Sequence, residues 1–445
     1  MRKVHIVTFG CQMNKLDSEL AAEALQDAGY GIASHEEDAD VVVFNTCSVR
    51  DHAEQRVLSR LAQLRERREA TPGFLLGMMG CFAEREGGEL LKRLPYLDFA
   101  LGTRQFPQLP ATLDALYRRR EKAGLFGAAE EDYPGIDQAH VRKRHHGIHG
   151  FVSVMRGCDN RCSYCIVPDV RGGEVSRPAA EIAREVGALA LAGAREVTLL
   201  GQNIDAYGKH DGTSLGELLR MVDREAPEDT GLLRLRFVTS HPRDITRELA
   251  ETVAELERVC PHFHMPAQSG SDAVLARMRR GYDRAMYDDK LSMLREIVPG
   301  VTVASDFIVG FPGETEADYL ATRDLVEKAD YQNSYIFKYS PRPGTPSARD
   351  FPDDVPDAEK RRRNNDLLAV QNGVNSRRGA AMIGRRLSVM AEGVSSRDKR
   401  RWTGRTAGNH ICVFGAPDEG EDLSGKLVEL EVESATPLTL FCRRV

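Results

Sequence analysis

Short apolar runs and helix-like segments alternate from the first residues of the chain. Val4–Gly10, Ala39–Thr46, Gly73–Gly80 and Leu97–Thr103 read as strands. Lys15–Gly29 and Asp51–Ala70, between them, carry helical periodicity, and Gly29 is placed to end its helix. Such an alternation predicts an open parallel α/β sheet. Cys11, Cys47 and Cys81 each fall at the C-terminal end of one of the first three strands, 36 and then 34 residues apart. Open α/β sheets bind ligands outside the carboxyl ends of their strands. Three thiols distant in sequence should therefore meet at one edge. A single cysteine there would be read as an ordinary buried residue; three at equivalent strand ends argue for a shared site.

A longer alternation follows a charged, Gly/Pro-punctuated stretch at 110–147, read as a linker. Its strands are Gly150–Gly157, Glu196–Asn203, Leu233–Ser240, His262–Gly270, Val301–Phe311 and Asn333–Ser340. Six βα units predict a partial (β/α)6 barrel with its chemistry at the C-terminal strand ends. Beyond a helical connection the pattern changes to short alternating strands, Arg385–Val394, Gly408–Ala416, Lys426–Ala435 and Leu438–Val445. These predict a small antiparallel β-barrel of OB-like size, a scaffold that often holds RNA or single strands. The expected domains are 1–117, 144–376 and 377–445.

Net charge is −6 over 445 residues, which argues mildly against nucleic acid. The distribution argues the other way. Between Lys360 and Arg405 there are 13 Lys/Arg and 3 Asp/Glu, with smaller basic clusters at Arg118–Lys122 and Arg142–Arg144. A short basic run is usually a solvated helix face. A long one leading into a separate small barrel favours a phosphate-binding surface. No run of 18 apolar residues is present, so no membrane span is expected. The N-terminus enters a strand with no cleavage site behind it, and a cytoplasmic location is expected. In a reducing compartment, nine cysteines argue for metal or catalysis over disulfides.

Gly157–Cys165, "GCDNRCSYC", follows the first barrel strand and carries three cysteines at C-x3-C-x2-C. A four-iron cluster takes a thiolate on each iron. Three thiolates leave one iron open, and an open position separates a catalytic metal site from a closed structural one. Zinc is the competitor. It would have to recruit a distant fourth ligand, because the loop holds no histidine or fourth cysteine.

This spacing, with Tyr164 before the last cysteine, resembles the radical S-adenosylmethionine (SAM) superfamily. The resemblance implies a 4Fe-4S cluster on Cys158, Cys162 and Cys165, with SAM at the open iron and one-electron cleavage to methionine and a 5′-deoxyadenosyl radical. "TFGCQMNKLDSE" (Thr8–Glu19), "NTCSVR" (Asn45–Arg50), Gly80-Cys81, "RGGEVSRP" (Arg171–Pro178), "GQNIDAYG" (Gly201–Gly208), "QSGSDAVLARMRRGY" (Gln268–Tyr282), "SDFIVGFPGET" (Ser305–Thr315) and "SPRPGT" (Ser340–Thr345) are similar to the methylthiotransferases of that superfamily. That similarity implies a second 4Fe-4S cluster on Cys11, Cys47 and Cys81. "WTGRTAGN" (Trp402–Asn409) resembles the TRAM domain, which binds tRNA in this family. "GCQMN" and "NTCSVR" resemble the MiaB-type tRNA branch. The implied reaction is methylthiolation at carbon 2 of N6-isopentenyladenosine at tRNA position 37, with one SAM giving the methyl group and a second the radical. The implied partners are the tRNA anticodon stem-loop, an electron donor such as flavodoxin or ferredoxin, and a sulfur donor the sequence does not name; a monomer is expected. Asp169 departs from the family, which commonly has an aromatic residue after Val-Pro. The alternatives are the same chemistry on a ribosomal protein side chain or on threonylcarbamoyl-adenosine tRNA, or a non-catalytic iron–sulfur RNA-binding sensor.

Further SAM contacts are expected at strand ends. Gly201, Gln202 and Asn203 end the second barrel strand, toward the methionine end of SAM. Gln268 and Ser269 end the fourth, toward the ribose. Gly310, opening Gly310–Glu314 at the fifth, is expected near the adenine. The first and last of these also read as plain turns. Arg171 and Arg177 are candidates for a SAM carboxylate or an RNA phosphate. His262 and His264 read as core, and Cys260, Cys412 and Cys442 as structural.

Overall fold

The computed structural model of the chain describes residues 1–48, 51–119, 121–127, 147–210, 212–227, 230–417 and 421–445. Val49 and Arg50 of the NTCSVR segment and the basic cluster Arg142–Arg144 lie outside them.

The N-terminal sheet contains β1 (Lys3–Phe9), β2 (Gly31–Ile32), β3 (Val41–Thr46), β4 (Leu75–Met79), β5 (Phe99–Leu101) and β6 (Ala123–Leu125). Its order is β2-β1-β3-β4-β5-β6 and every pairing is parallel. β3 is buried throughout because helices cover both faces. Val42 and Phe44 pack with Val57, Leu61 and Leu64 of the helix Asp51–Ala70. Val41 and Val43 pack with Ala21 and Leu25 of the helix Gln12–Asp27 and with Leu113 and Leu116 of the helix Leu109–Arg119. The stretch read as a linker from residue 110 is therefore part of this domain as far as β6. A three-residue edge strand carries too little periodicity to read from sequence.

The second body has β7 (His149–Ser153), a small antiparallel pair β8 (Met155–Arg156) and β9 (Val175–Ser176), then β10 (Glu196–Leu200), β11 (Arg234–Phe237), β12 (His262–His264), β13 (Thr302–Val309) and β14 (Asn333–Lys338). Two parallel three-stranded sheets, β7-β10-β11 and β12-β13-β14, meet through Cys260 N–H to Leu235 O and Ser240 N–H to His264 O. Among the described residues no ladder joins β7 to β14, so the barrel is partial and its lumen opens on that side. β12 is shorter than expected because Pro261 and Pro266, which donate no hydrogen bond, bracket it.

The C-terminal domain is a closed barrel, β15 (Arg386–Val394), β16 (Arg401–Thr406), β17 (Ile411–Gly415), β19 (Thr439–Arg444) and β18 (Leu427–Thr436) in spatial order. Trp402, Phe414, Leu430 and Leu440 fill it. One pair, β17 with β19, is parallel, so the barrel is not wholly antiparallel. Its β16–β17 turn, from the segment that resembles TRAM, closes the N-terminal end of the partial barrel. Arg236 donates to Ala407 O (2.8 Å) and Thr406 O (2.9 Å), Arg234 to Arg405 O (2.6 Å), and Thr302 Oγ1 to Gly408 O (2.9 Å).

Part of the basic run is structural. Lys360 and Arg363, in the helix Asp357–Ala380, are buried against Asp353 and Glu314, while Arg361 and Arg362 pair with Asp357 and Glu359. No described helix is long and apolar enough to cross a membrane.

Candidate active site

β1, β3 and β4 are neighbours in the sheet, so their C-terminal ends bring Cys11, Cys47 and Cys81 to one edge. Cys47 lies within hydrogen-bonding reach of both other thiols. Two asparagines frame the site. Asn14 Nδ2 donates to Asn45 Oδ1 (2.9 Å), and Asn45 Nδ2 donates to Asn14 O (2.8 Å) and Ser18 Oγ (2.9 Å). Gly80 sits at φ 96° with its hydrogen where a Cβ would lie 2.3 Å from Asn45 Oδ1; both conditions demand glycine. The hydrogen bond from Cys47 holds Cys11 down to about 6 and Cys81 to about 7, with the Arg171 charge adding to both, while Cys47 itself is raised.

The second triad sits on the loop after β8. Gly157 has φ 74°, and a Cβ there would lie 1.9 Å from Gly173 O. Its N–H donates to Gln202 Oε1 (2.5 Å). Asp159 N–H donates to Glu174 Oε1 (3.1 Å), and Glu174 N–H returns the bond to Asp159 Oδ1 (3.0 Å). Farther along the loop, Ser163 Oγ donates to Arg277 O (2.8 Å). Arg280, buried, places its guanidinium 3.4 Å from Cys162 Sγ and 3.4 Å from the Tyr164 hydroxyl. Burial raises Cys158 to about 11 and Cys165 to about 12.

Arg171 donates to Asp17 (2.7 Å) and Thr103 Oγ1 to Val170 O (2.6 Å), docking one triad's domain on the other's loop. All six cysteines line one cavity of about 870 Å³. Among the described residues, the one group of three or more His, Cys, Asp or Glu ligand atoms drawn within 4.8 Å of one another is Asp159, Glu174 and His210. The cysteine triads are more open. In neither triad do all three sulfurs lie within 4.8 Å of one another, whereas a tetrahedral zinc wants them about 3.8 Å apart; a four-iron cluster spans more.

Gly201, Gln202, Asn203 and Gln268 line this cavity. Asn203 gives its Nδ2 to Asp244 (2.9 Å), leaving a buried Oδ1 with no hydrogen-bond partner. Gln202 is partly spent on the cluster loop. Ser269 and Gly310 are off the cavity wall: Ser269 Oγ bonds Thr322 Oγ1, and the Gly310 N–H is taken by Glu314 (2.6 Å). Of the two arginine candidates, Arg171 lines the cavity and pairs with Asp17, while Arg177 pairs with Glu185 and Ser153 O. His262, against Thr302, and His264, beside Asp306, both line the cavity. Arg280, Asp17 and His241 were not legible as site residues. His241 follows the third barrel strand, where strand-end reasoning points, but Arg280 lies within a helix-and-turn segment and touches Cys162 only through the fold.

The fit to known proteins follows the same division. Residues 3–102 match the model of the Uncharacterized protein family UPF0004, and residues 152–326 that of the Radical SAM superfamily. The tRNA-2-methylthio-N(6)-dimethylallyladenosine synthase of Chlorobium phaeobacteroides (strain BS1) is 40% identical over 440 residues, 99% of this chain and 96% of that protein. The protein of the same name from Geobacter sulfurreducens is 44% identical over 433 residues, 96% and 94% of the two chains. The chain belongs to this family. Among solved structures, the radical S-adenosylmethionine methyltransferase TsrM from Kitasatospora setae, with cobalamin and a [4Fe-4S] cluster bound, matches at TM-score 0.58 and 18% identity over 78% of this chain and 77% of that one; it supports the fold alone. As a radical SAM methylthiotransferase, the chain is a transferase that uses two 4Fe-4S clusters and SAM.

Proposed function

We propose that the chain converts N6-isopentenyladenosine at position 37 of tRNA, beside the anticodon, to its 2-methylthio derivative. The observation that carries this reading is that both triads open into one cavity, so a single bound base can reach both. When loaded, Cys158, Cys162 and Cys165 would hold the cluster that reduces SAM, and Cys11, Cys47 and Cys81 the cluster that carries sulfur.

The chain's own residues position and exclude. Asn203 offers an acceptor to the SAM ammonium, its amide fixed by Asp244. Arg280 sets a positive charge against Cys162. Met13, Phe151, Leu200 and Val238 form an apolar patch on the cavity wall, suited to a hydrocarbon tail on the base. The floor made by the β16–β17 turn closes the N-terminal end of the lumen, limiting the water that reaches the radical chemistry from that end. The anticodon stem-loop as substrate, a flavodoxin or ferredoxin as electron donor, a monomeric state and a cytoplasmic location belong to this reading.

The test is anaerobic reconstitution with iron and sulfide, followed by SAM, reductant and isopentenylated tRNA. About eight irons per chain and a 2-methylthio nucleoside are expected. Two full clusters with SAM cleavage and no modified nucleoside would move the acceptor to threonylcarbamoyl-adenosine tRNA or a ribosomal protein. Loaded protein that never cleaves SAM would leave an RNA-binding iron–sulfur sensor.

A further inference from the structure

One wall of the cavity is used by neither triad. On β14, Asn333, Tyr335 and Phe337 alternate into the lumen. Tyr335 is 47% exposed, and among the described residues it is the one aromatic side chain left that open. An aromatic face open to solvent but enclosed by a cavity wall is unused stacking area. Beside it stands a polar pair. His264 meets the Tyr335 ring edge-on, with centroids 6.4 Å apart, and its Nε2 lies 3.1 Å from Asp306 Oδ1. Asp306 is the register partner of Tyr335 across the β13–β14 ladder. Asp306 and His264 keep 25% and 19% of their side-chain surface open.

A flat ring face with a carboxylate at its border suits a flat heterocycle that carries an N–H on its edge. Extruded bases are read in this way, by stacking on an aromatic residue and hydrogen bonding at the base edge. The position also suits a base that arrives from outside. β14 borders the open side of the barrel, and Arg378 and Leu438, from the helix and the hairpin of the C-terminal region, line the same cavity. Tyr335 stands three residues before the C-terminal end of its strand, below the strand ends where Cys158 and Asn203 gather.

We propose that Tyr335 and Asp306, with His264 orienting the carboxylate, form the seat of the acceptor adenine: the ring stacks on Tyr335, and the one N–H left on the alkylated N6 donates to Asp306. This rests on the function proposed above and names the contacts that would present C2 of the base. Fixing the ring plane and N6 leaves C2, on the far side of N1, only an in-plane arc to occupy.

The test uses the reconstituted enzyme and an isopentenylated anticodon stem-loop RNA. Tyr335→Phe keeps the ring, Tyr335→Leu keeps apolar bulk without a π face, and Tyr335→Ala removes both. Iron content, SAM affinity by equilibrium dialysis, RNA affinity by anisotropy and the kcat–KM split are measured for each. Phe is expected to match wild type. Leu and Ala should bind RNA about tenfold more weakly, with the loss appearing in KM and with iron and SAM affinity unchanged. Wild-type RNA affinity and KM in Tyr335→Ala would overturn the seat. So would a loss of SAM affinity in place of RNA affinity, which would give the ring to the cofactor. If the wild-type enzyme cleaves SAM but methylthiolates no tRNA, the parent reading falls and the seat with it. An active wild type beside an indifferent Tyr335→Ala removes the seat alone.

Discussion

Arg171 and Asp17 are 154 residues apart in sequence and 2.7 Å apart in space, guanidinium to carboxylate, both buried. Asp17 lies on the helix that Cys11 opens, and Arg171 on the segment that wraps the second triad. The pair is thus a strut between the two cysteine triads. It stands at the junction where the N-terminal sheet meets the partial barrel, and Arg171 is the charge that compensates the buried Asp17 carboxylate.

Removing one partner should cost more than removing both. Arg171→Met leaves a buried carboxylate uncompensated and is expected to destabilise the chain by about 3–5 kcal/mol, with iron lost first from the N-terminal triad. The double variant Arg171→Met/Asp17→Leu should recover much of that stability. Thermal melting and iron counts on the two singles and the double check it, and simple additivity of the singles would refute a strut.

How much of this was readable beforehand depends on distance in sequence. The three strand-end cysteines were readable because strand ends in a parallel sheet are equivalent positions, so period and residue type alone place Cys11, Cys47 and Cys81 together. Cys158, Cys162 and Cys165 were readable because all three sit in one loop. Arg171–Asp17 was not, because no local pattern marks which buried charge another will meet. Lys360–Arg363 misled for a related reason: a basic run looks like an RNA surface until tertiary partners such as Glu314 and Asp353 appear beside it. Ser269 and Gly310 followed the strand-end rule, yet their bonds go to Thr322 and Glu314, behind the wall.

The two triads should separate in function. Cys11→Ala is expected to keep SAM cleavage and lose methylthiolation, whereas Cys158→Ala loses both. Product analysis for 5′-deoxyadenosine and for the modified nucleoside checks each variant. Full product formation by Cys11→Ala would reject a two-cluster enzyme.

They should also load differently with pH. A thiol must ionise to bind iron, so a raised pKa means stronger competition from protons. Cys11 and Cys81, at about 6 and 7, are mostly ionised at pH 8. Cys158 and Cys165, at about 11 and 12, are not. Cys47 in the first triad is raised too, so iron uptake there must displace one held proton, and uptake at the second triad should rise more steeply from pH 7 to pH 9 than uptake at the first. The Cys11/Cys47/Cys81→Ala and Cys158/Cys162/Cys165→Ala proteins, reconstituted in parallel, isolate the two curves; equal slopes would contradict this.

Arg280 should tune a cluster held by Cys162. A fixed cation beside Cys162 favours the more negative, reduced state. Arg280→Met is expected to lower the reduction potential of the second cluster by on the order of 100 mV and slow SAM cleavage at a given reductant. Potentiometric titration followed by electron paramagnetic resonance measures it. An unchanged potential with full iron content would leave Arg280 a packing residue for Tyr164 and Tyr282.

Buried histidines give the fold an acid limit. Burial, with nearby arginines, lowers His241 to about 2 and His262 to about 3. Above pH 6.5 they are neutral in folded and unfolded chains alike and contribute no pH dependence. Below it the unfolded chain takes up protons that the folded chain refuses, so stability falls. Between pH 6.5 and pH 5 each histidine costs about 2 kcal/mol. Asp205, which burial raises to about 7, works the other way, because the folded chain holds its proton first; it offsets about one histidine over that range. A single substitution isolates the effect. His262→Gln removes one titration at the contact with Thr302, and its denaturant-unfolding free energy should fall by about 2 kcal/mol less than wild type between pH 6.5 and pH 5. Parallel pH profiles for the two proteins would show that His262 titrates normally in the folded chain.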